Sequence, residues 1–430
     1  MAKIKIIGGN RLNGEIYISG AKNAALPLMI ASLLSEEKLV LENLPALADV
    51  KQLKAILKNH GTQITEQEQS SKTDGSIGKT VSFQAKIISD ICAPYELVSE
   101  MRASFWVIGP LLARMGEARV SLPGGCAIGT RPVDFFLDGL KQLGAKIEIK
   151  DGYVIAKAPK GGLVGNRVHF PKISVGATHT IMMAATLANG TTIIENAARE
   201  PEVGDLANCL IKMGAKISGI GTHVLTIKGV KKLHGATHRT LPDRIETGTY
   251  AMAVAMTGGE VLLKNTNAKL LQSALDILIE AGVEILEEEN GIRVKANGAG
   301  LRPIGVETQE FPGFPTDLQA QYMALMTRSA GIANIKETIF ENRFMHVAEL
   351  ARFGADIKVD GQVATVCGVP QLRGAQVMAT DLRASVSLVI AGLVAKGETT
   401  VSRIYHLDRG FENLEEKLKR CGAQIERIND

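Results

Sequence analysis

The sequence predicts an α/β protein of six repeated units, in which β-sheets wrap buried helices and the units group as two domains of three. Three observations carry this. The first is a phrase that recurs along the 430 residues: HGTQI at His60, LGAKI at Leu143, MGAKI at Met213, AGVEI at Ala281, FGADI at Phe353 and CGAQI at Cys421. Its glycines, Gly61, Gly144, Gly214, Gly282, Gly354 and Gly422, are separated by 83, 70, 68, 72 and 68 residues. In each phrase a helix ends, glycine supplies the left-handed conformation that caps it, and a β-branched or apolar residue opens the next strand.

The second observation lies upstream of each phrase, in segments such as AALPLMIASLL, IMMAATLA, YAMAVAM and ASVSLVIAGLVA. They are apolar on every face, so as helices they must be buried. Stretches such as TTIIENA and ETTVSRI follow them, and each unit reads as strand, buried helix, strand, amphipathic helix, strand. The third is composition: 45% hydrophobic but only 4% aromatic residues favours close helix packing over aromatic-rich sheets. The long first interval comes from QEQSSKTDGSIGKTV, residues 66–80, which is polar enough to read as a mobile surface insertion. The pattern breaks at LHGATHRTLPDR, residues 233–244, which places the boundary between the two domains there. The cleft between them is the expected site.

Composition also excludes function classes. A formal charge of +4 with interspersed signs lacks the basic stripe of a nucleic-acid binder. No apolar run is long enough for membrane insertion or for a signal peptide, so a cytoplasmic location is expected. Five scattered cysteines without C-x-x-C spacing suggest neither a disulfide framework nor a zinc ribbon. His234 and His238 are four apart, but Gly235 and Pro242 mark a linker rather than a helical ligand pair, so neither a metal nor another cofactor is expected. GIGT at 219–222 lacks the Gly-Lys-Ser/Thr ending of a phosphate loop and reads as a hairpin turn.

The first turns of the buried helices carry Lys22 and Asn23, Arg102, Ser174 and Thr178, Asp243 and Arg244, Thr316 and Asp317, and Asp381 and Arg383. Ser, Thr and Asp there are explained as N-caps. The cations are not, because a positive charge at a helix N-terminus opposes the macrodipole. Free N–H groups together with Lys or Arg make a cradle for a multiply charged anion. Between the first two units lies LPGGCAIGTRPVD, residues 122–134, with the composition of an active-site lid around Cys126. Arg131, five residues on, favours a reactive thiolate, whereas Cys92, Cys209, Cys367 and Cys421 read as packing residues.

That loop, with GAKNAALP from Gly20, MRASFWVIGPL from Met101, ISVGATHT from Ile173, PDRIETGTY from Pro242, FPTDLQAQ from Phe314, ENRFMHV from Glu341, TDLRAS from Thr380 and IYHLDRG from Ile404, resembles the UDP-N-acetylglucosamine enolpyruvyl transferase family over the whole chain. The resemblance implies two inverse α/β-prism domains of three repeats each, with the N-terminal strand packed in the domain formed by the C-terminal half, so that one domain spans 22–241 and the other 1–21 plus 242–430. It implies addition of the sugar 3-hydroxyl to C2 of phosphoenolpyruvate with protonation of C3, a tetrahedral intermediate, and loss of phosphate, without a cofactor. Cys126 would protonate C3 and Asp317 would handle the hydroxyl proton. Lys22, Asn23, Arg131, Arg383 and Arg409 would surround phosphoenolpyruvate. Asn23, Arg102, Arg131, Pro132, Val133, Asp134, Phe135, Lys172, Ile173, Ser174, Val175, Asp317 and Ile339 would hold the nucleotide sugar. Because these residues come from both halves, the domains are expected to close on the substrates. Two alternatives remain: the related transferase acting on shikimate 3-phosphate, which lacks the cysteine loop, and a non-catalytic nucleotide-sugar binding protein.

Overall fold

A computed structural model describes residues 2–67, 78–123 and 133–429. Cys126, Arg131, Pro132 and most of the polar insertion lie outside the described residues. The two flanks of that insertion are strand rather than loop, since Gln63–Gln67 pairs antiparallel with Lys79–Gln84.

Six four-stranded sheets share one topology. In the third unit, Arg167–His169 runs parallel to Thr191–Glu195, and the buried helix Val175–Ala185 connects them. Helix Pro201–Lys212 then leads into a hairpin, Lys216–Ser218 with Val224–Lys228, whose second strand returns antiparallel beside Thr191–Glu195. Each unit thus carries one strand more than the order read from sequence. In five sheets a hairpin accounts for it, with GIGT making the turn in this unit and Asp151-Gly152, both at positive φ, in the second; in the last sheet the extra strand is Lys3–Ile7. All six phrase glycines sit between φ 85° and φ 105°, where a Cβ would be strained.

The apolar segments are helices enclosed on all sides. Every residue of Lys22–Ala31 except Asn23 is buried, and in Arg244–Thr257 burial runs unbroken from Arg244 to Met256. The outer helices bury one stripe each, as Val50, Leu53, Ile56 and Leu57 do in Ala48–Asn59. Two apolar cores result. One draws on Ala21 to Leu233, the other on Ile4 to Ile18 together with Ile245 to Ile425.

Two features of connectivity could not be read from local pattern. Strand Leu12–Tyr17 precedes helix Lys22–Ala31 in the chain but pairs with Gly259–Lys264, in the second core. Strand Ala236–Arg239, inside the stretch expected to be a linker, precedes helix Arg244–Thr257 but pairs with Leu39–Leu44, in the first. The chain therefore crosses between lobes twice, and the crossings run side by side. Gly20 bridges Pro242, Ala21 N–H donates to Leu241 O at 2.8 Å, and Asp243 N–H donates to Ser19 O at 2.9 Å. In addition, Lys3–Ile7 lies between Glu398–Ser402 and Gln424–Ile428, so the start of the chain completes the last sheet.

The crossings are tightly fitted. A Cβ on Gly20 would meet Asn43 O at 1.9 Å, while Asn43 Nδ2 donates to Thr240 O at 3.0 Å on the other crossing. Gly20→Ala is expected to lower unfolding free energy by about 2–3 kcal/mol, the scale of overpacking a rigid site. Denaturant titration checks this, and a change below about 0.5 kcal/mol, that of an ordinary surface substitution, would contradict the packing account.

Candidate active site

Both crossings deliver helix N-termini to one place. Asp243 caps helix Arg244–Thr257 through Oδ1, which accepts from Ile245 N–H and Glu246 N–H, and its Oδ2 accepts from Lys22 N–H at 3.1 Å. The starts of the helices at 22 and 244 are thereby locked together. Asn23 Nδ2 reaches across to Asp317 Oδ2 at 3.5 Å, in the turn Thr316–Leu318 that opens helix Gln319–Met326. Arg383, in the first turn of helix Leu382–Val394 behind the cap Asp381, donates from Nε to the same oxygen at 3.2 Å.

Asp317 is gripped on its other oxygen by Arg343, whose Nη2 lies 2.6 Å from Oδ1. Both arginines are nearly buried, with 6% and 4% of their side-chain surface exposed, whereas the carboxylate keeps 26% open. Burial pushes the Asp317 carboxyl up, but Arg383 and Arg343, with Lys22 behind them, outweigh it and hold the group far below the usual carboxylate range. Arg383 Nη1 is buried without an acceptor among the described residues.

A second carboxylate, Asp49, stands in the first turn of helix Ala48–Asn59. Lys22 Nζ is 2.7 Å from its Oδ2, and Arg409, from the opposite lobe, donates to both oxygens at 2.8 and 3.4 Å. Burial lowers the Lys22 ammonium from its usual range; Asp49 opposes the shift, and Arg383 and Arg409 add to it. The cluster thus sets four cations, Lys22, Arg343, Arg383 and Arg409, against three carboxylates, Asp49, Asp243 and Asp317. Its net positive charge suits a small polyanion.

The residues expected around a nucleotide sugar form two groups. On the first lobe, Ser174 Oγ accepts from Ala177 N–H at 3.3 Å to cap helix Val175–Ala185, and Lys172 and Ile173 precede it. Helix Asp134–Gln142 brings Val133, Asp134 and Phe135 beside this cap, since Phe136 and Trp106 close on Gly176. Arg102 starts the neighbouring turn, Arg102–Val107. On the second lobe, Ile339 N–H donates to Glu337 Oε1 at 2.9 Å, and Thr316 Oγ1 donates to Oε2 of the same buried carboxylate at 2.9 Å. Glu337 therefore ties the Ile339 loop to the Asp317 turn.

Three of these residues escaped sequence reasoning. Asp49 looks like an ordinary helix N-terminal acid, Arg343 lies within ENRFMHV but at no helix start, and Glu337 follows a strand without distinguishing neighbours. The other cysteines match the packing reading in part. Cys209 and Cys421 are buried, and burial pushes their thiols up to about 12 and about 11; Cys92 and Cys367 are half-buried.

Comparison with known proteins places this geometry. Residues 6–418 match the family model described as EPSP synthase (3-phosphoshikimate 1-carboxyvinyltransferase). The crystal structure of the enolpyruvyl transferase NikO from Streptomyces tendae superposes with a TM-score of 0.85 at 24% identity, covering 100% of this chain and 99% of that one. EPSP synthase from Acinetobacter baumannii gives a TM-score of 0.75 at 16% identity, with both chains covered in full. These likenesses establish the fold. Proteins named UDP-N-acetylglucosamine 1-carboxyvinyltransferase from Sinorhizobium fredii and Sinorhizobium medicae are 67% identical over 430 residues, covering 100% of each chain. At that identity from end to end, the chain belongs to the UDP-N-acetylglucosamine 1-carboxyvinyltransferases of the EPSP synthase family.

Proposed function

We infer that the protein transfers the enolpyruvyl group of phosphoenolpyruvate to the 3-hydroxyl of UDP-N-acetylglucosamine and releases phosphate, the step that commits the sugar to peptidoglycan. The observation that carries this reading is the full-length 67% identity to relatives bearing that name. The charge arrangement supports it. Phosphoenolpyruvate brings a phosphate and a carboxylate, and Lys22, Arg409 and Arg383 with its unpartnered Nη1 are the groups to receive them. As C2 becomes cationic and phosphate departs, fixed cations that need no reorganisation stabilise the developing charge on the leaving group.

Asp317 is assigned to the sugar hydroxyl. Clamped by Arg343 and Arg383 it is a weak base, and a substrate anion that draws those arginines away would raise its proton affinity when the 3-hydroxyl is in place. Cys126 is assigned the protonation of C3 by the family resemblance. Asn23, Arg102, Arg131–Phe135, Lys172–Val175 and Ile339 are assigned to the nucleotide sugar, and Arg131 to phosphoenolpyruvate as well. A cytoplasmic location is part of the same proposal and rests on these substrates; no described helix is long and apolar enough to cross a membrane.

Phosphate release tests the reading directly. Incubated with phosphoenolpyruvate, the protein is expected to release phosphate with UDP-N-acetylglucosamine and not with shikimate 3-phosphate; the reverse preference would overturn the assignment. Cys126→Ser is expected to lower turnover about 10²-fold or more, the scale of a lost general acid. A variant as fast as the parent would remove Cys126 from the chemistry.

A further inference from the structure

Among the carboxylates of the site that the assigned reaction does not use, Asp243 and Asp381 cap helices and Glu337 ties two loops, which leaves Asp49 to be explained. Asp49 is buried, its side chain only 6% exposed, and neither oxygen serves its own helix: Leu47 is the cap residue, and no side chain caps the helix. Both oxygens face cations instead, Lys22 from its own lobe and Arg409 from the other. A neighbouring tie makes the same crossing, with Ala46 N–H donating to Glu412 Oε1 at 2.9 Å, so the turn before Asp49 is fastened to the segment after Arg409. A buried ion triad is a poor device for stability, because desolvation of the charges offsets their attraction. Its value here is local.

We propose that Asp49 is a positioning residue for phosphoenolpyruvate: shared between Lys22 and Arg409, its carboxylate keeps the lysine an ammonium and aims both cations at one anion site. The proposal rests on the reading of Lys22 and Arg409 as phosphoenolpyruvate ligands. Lys22 is enclosed by charge of both signs. Asp49 faces it from helix Ala48–Asn59, Arg409 from the turn Ile404–Arg409, Arg383 from helix Leu382–Val394, Asp317 from the turn Thr316–Leu318, and Asp243 holds its backbone. Two of these neighbours are cations that favour the neutral amine, and burial acts the same way. Of the three carboxylates, only Asp49 bonds the ammonium directly.

Lys22 titration can be read without turnover, by competitive labelling with acetic anhydride followed by peptide mass spectrometry across pH. Asp49→Asn is expected to move the labelling midpoint of Lys22 down by at least about one pH unit, the size of one close charge partner, and Asp49→Glu to restore it. The alkaline limb of kcat/KM for phosphoenolpyruvate should move the same way, so that the variant loses more activity at pH 8 than at pH 6. Arg409→Gln provides a test that leaves Asp49 intact. It removes a repelling cation and leaves the carboxylate to Lys22 alone, so the midpoint should rise. Unmoved midpoints in both variants, or a uniform loss of activity at every pH, would overturn the proposal. So would tighter binding of inorganic phosphate by Asp49→Asn across the range, which would make Asp49 a competitor for the anion. Failure of the parent to use UDP-N-acetylglucosamine would sink the substrate reading instead, and the labelling result would stand apart from it.

Discussion

Asp317→Asn is expected to reduce kcat by about 10²–10⁴-fold, the range for loss of a group that moves a proton in the transition state. The geometry makes the substitution informative beyond rate. Asp317 is the shared counter-ion of Arg343 and Arg383, and removing its charge leaves two nearly buried guanidiniums without it. Such a site should bind anions more readily, so inorganic phosphate and phosphoenolpyruvate are expected to bind the variant no more weakly than the parent while turnover collapses. Stability should fall as well, by roughly 3–5 kcal/mol at most, because a broken buried pair exposes the survivors to uncompensated desolvation. Stopped-flow turnover and calorimetric titration with phosphate separate these effects. A kcat within tenfold of the parent would remove Asp317 from the proton transfer, and weak phosphate binding would show that the arginines depend on the carboxylate for their placement.

Deleting residues 1–8 is expected to have the largest structural effect. Lys3–Ile7 is an interior strand, bonded on one side to Glu398–Ser402 and on the other to Gln424–Ile428, and Ile4 and Ile6 are fully buried. Truncating one such isoleucine to alanine costs about 2–5 kcal/mol. Losing both, with the ladders on each side, approaches the whole of a typical domain stability of about 5–15 kcal/mol. The second lobe should then fail to fold cooperatively, while the first, whose sheets do not use this strand, keeps its structure. Limited proteolysis should leave a fragment within residues 21–241 and degrade the remainder. A truncated protein melting within about 2 °C of the parent would contradict the role given to this strand, since 1 kcal/mol already shifts a domain of this size by about 2–4 °C.

Much of this architecture was legible in the chain because each signal was local. Gly61 and its five counterparts announce helix ends, since only glycine accepts that backbone without strain. Lys22, Asp243, Asp317 and Arg383 announce helix starts by standing polar at the head of apolar segments. What local pattern cannot give is the partner of a strand. Leu12–Tyr17 reads the same whether it joins Leu39–Leu44 or Gly259–Lys264; the family resemblance put it with the C-terminal half, and the structure supplies the partner and register, Gly259–Lys264. The hidden part of the site has a similar cause. Asp49 gains its meaning from Arg409, 360 positions away, and Asp317 from Arg343 and Arg383, on separate segments of the second lobe.

The closing of the last sheet by the first strand sets a timetable for synthesis. Ile4 pairs with Val401, so the leading segment leaves the ribosome long before its neighbours exist. Throughout that wait its hydrogen-bonding edges are open to any other nascent chain. The alternation Lys3-Ile4-Lys5-Ile6 answers this hazard, because each apolar side chain is flanked by an ammonium that discourages stray pairing. Lys5, which pairs with Glu398 in the finished molecule, would thus act with Lys3 as a guardian of the unfinished one.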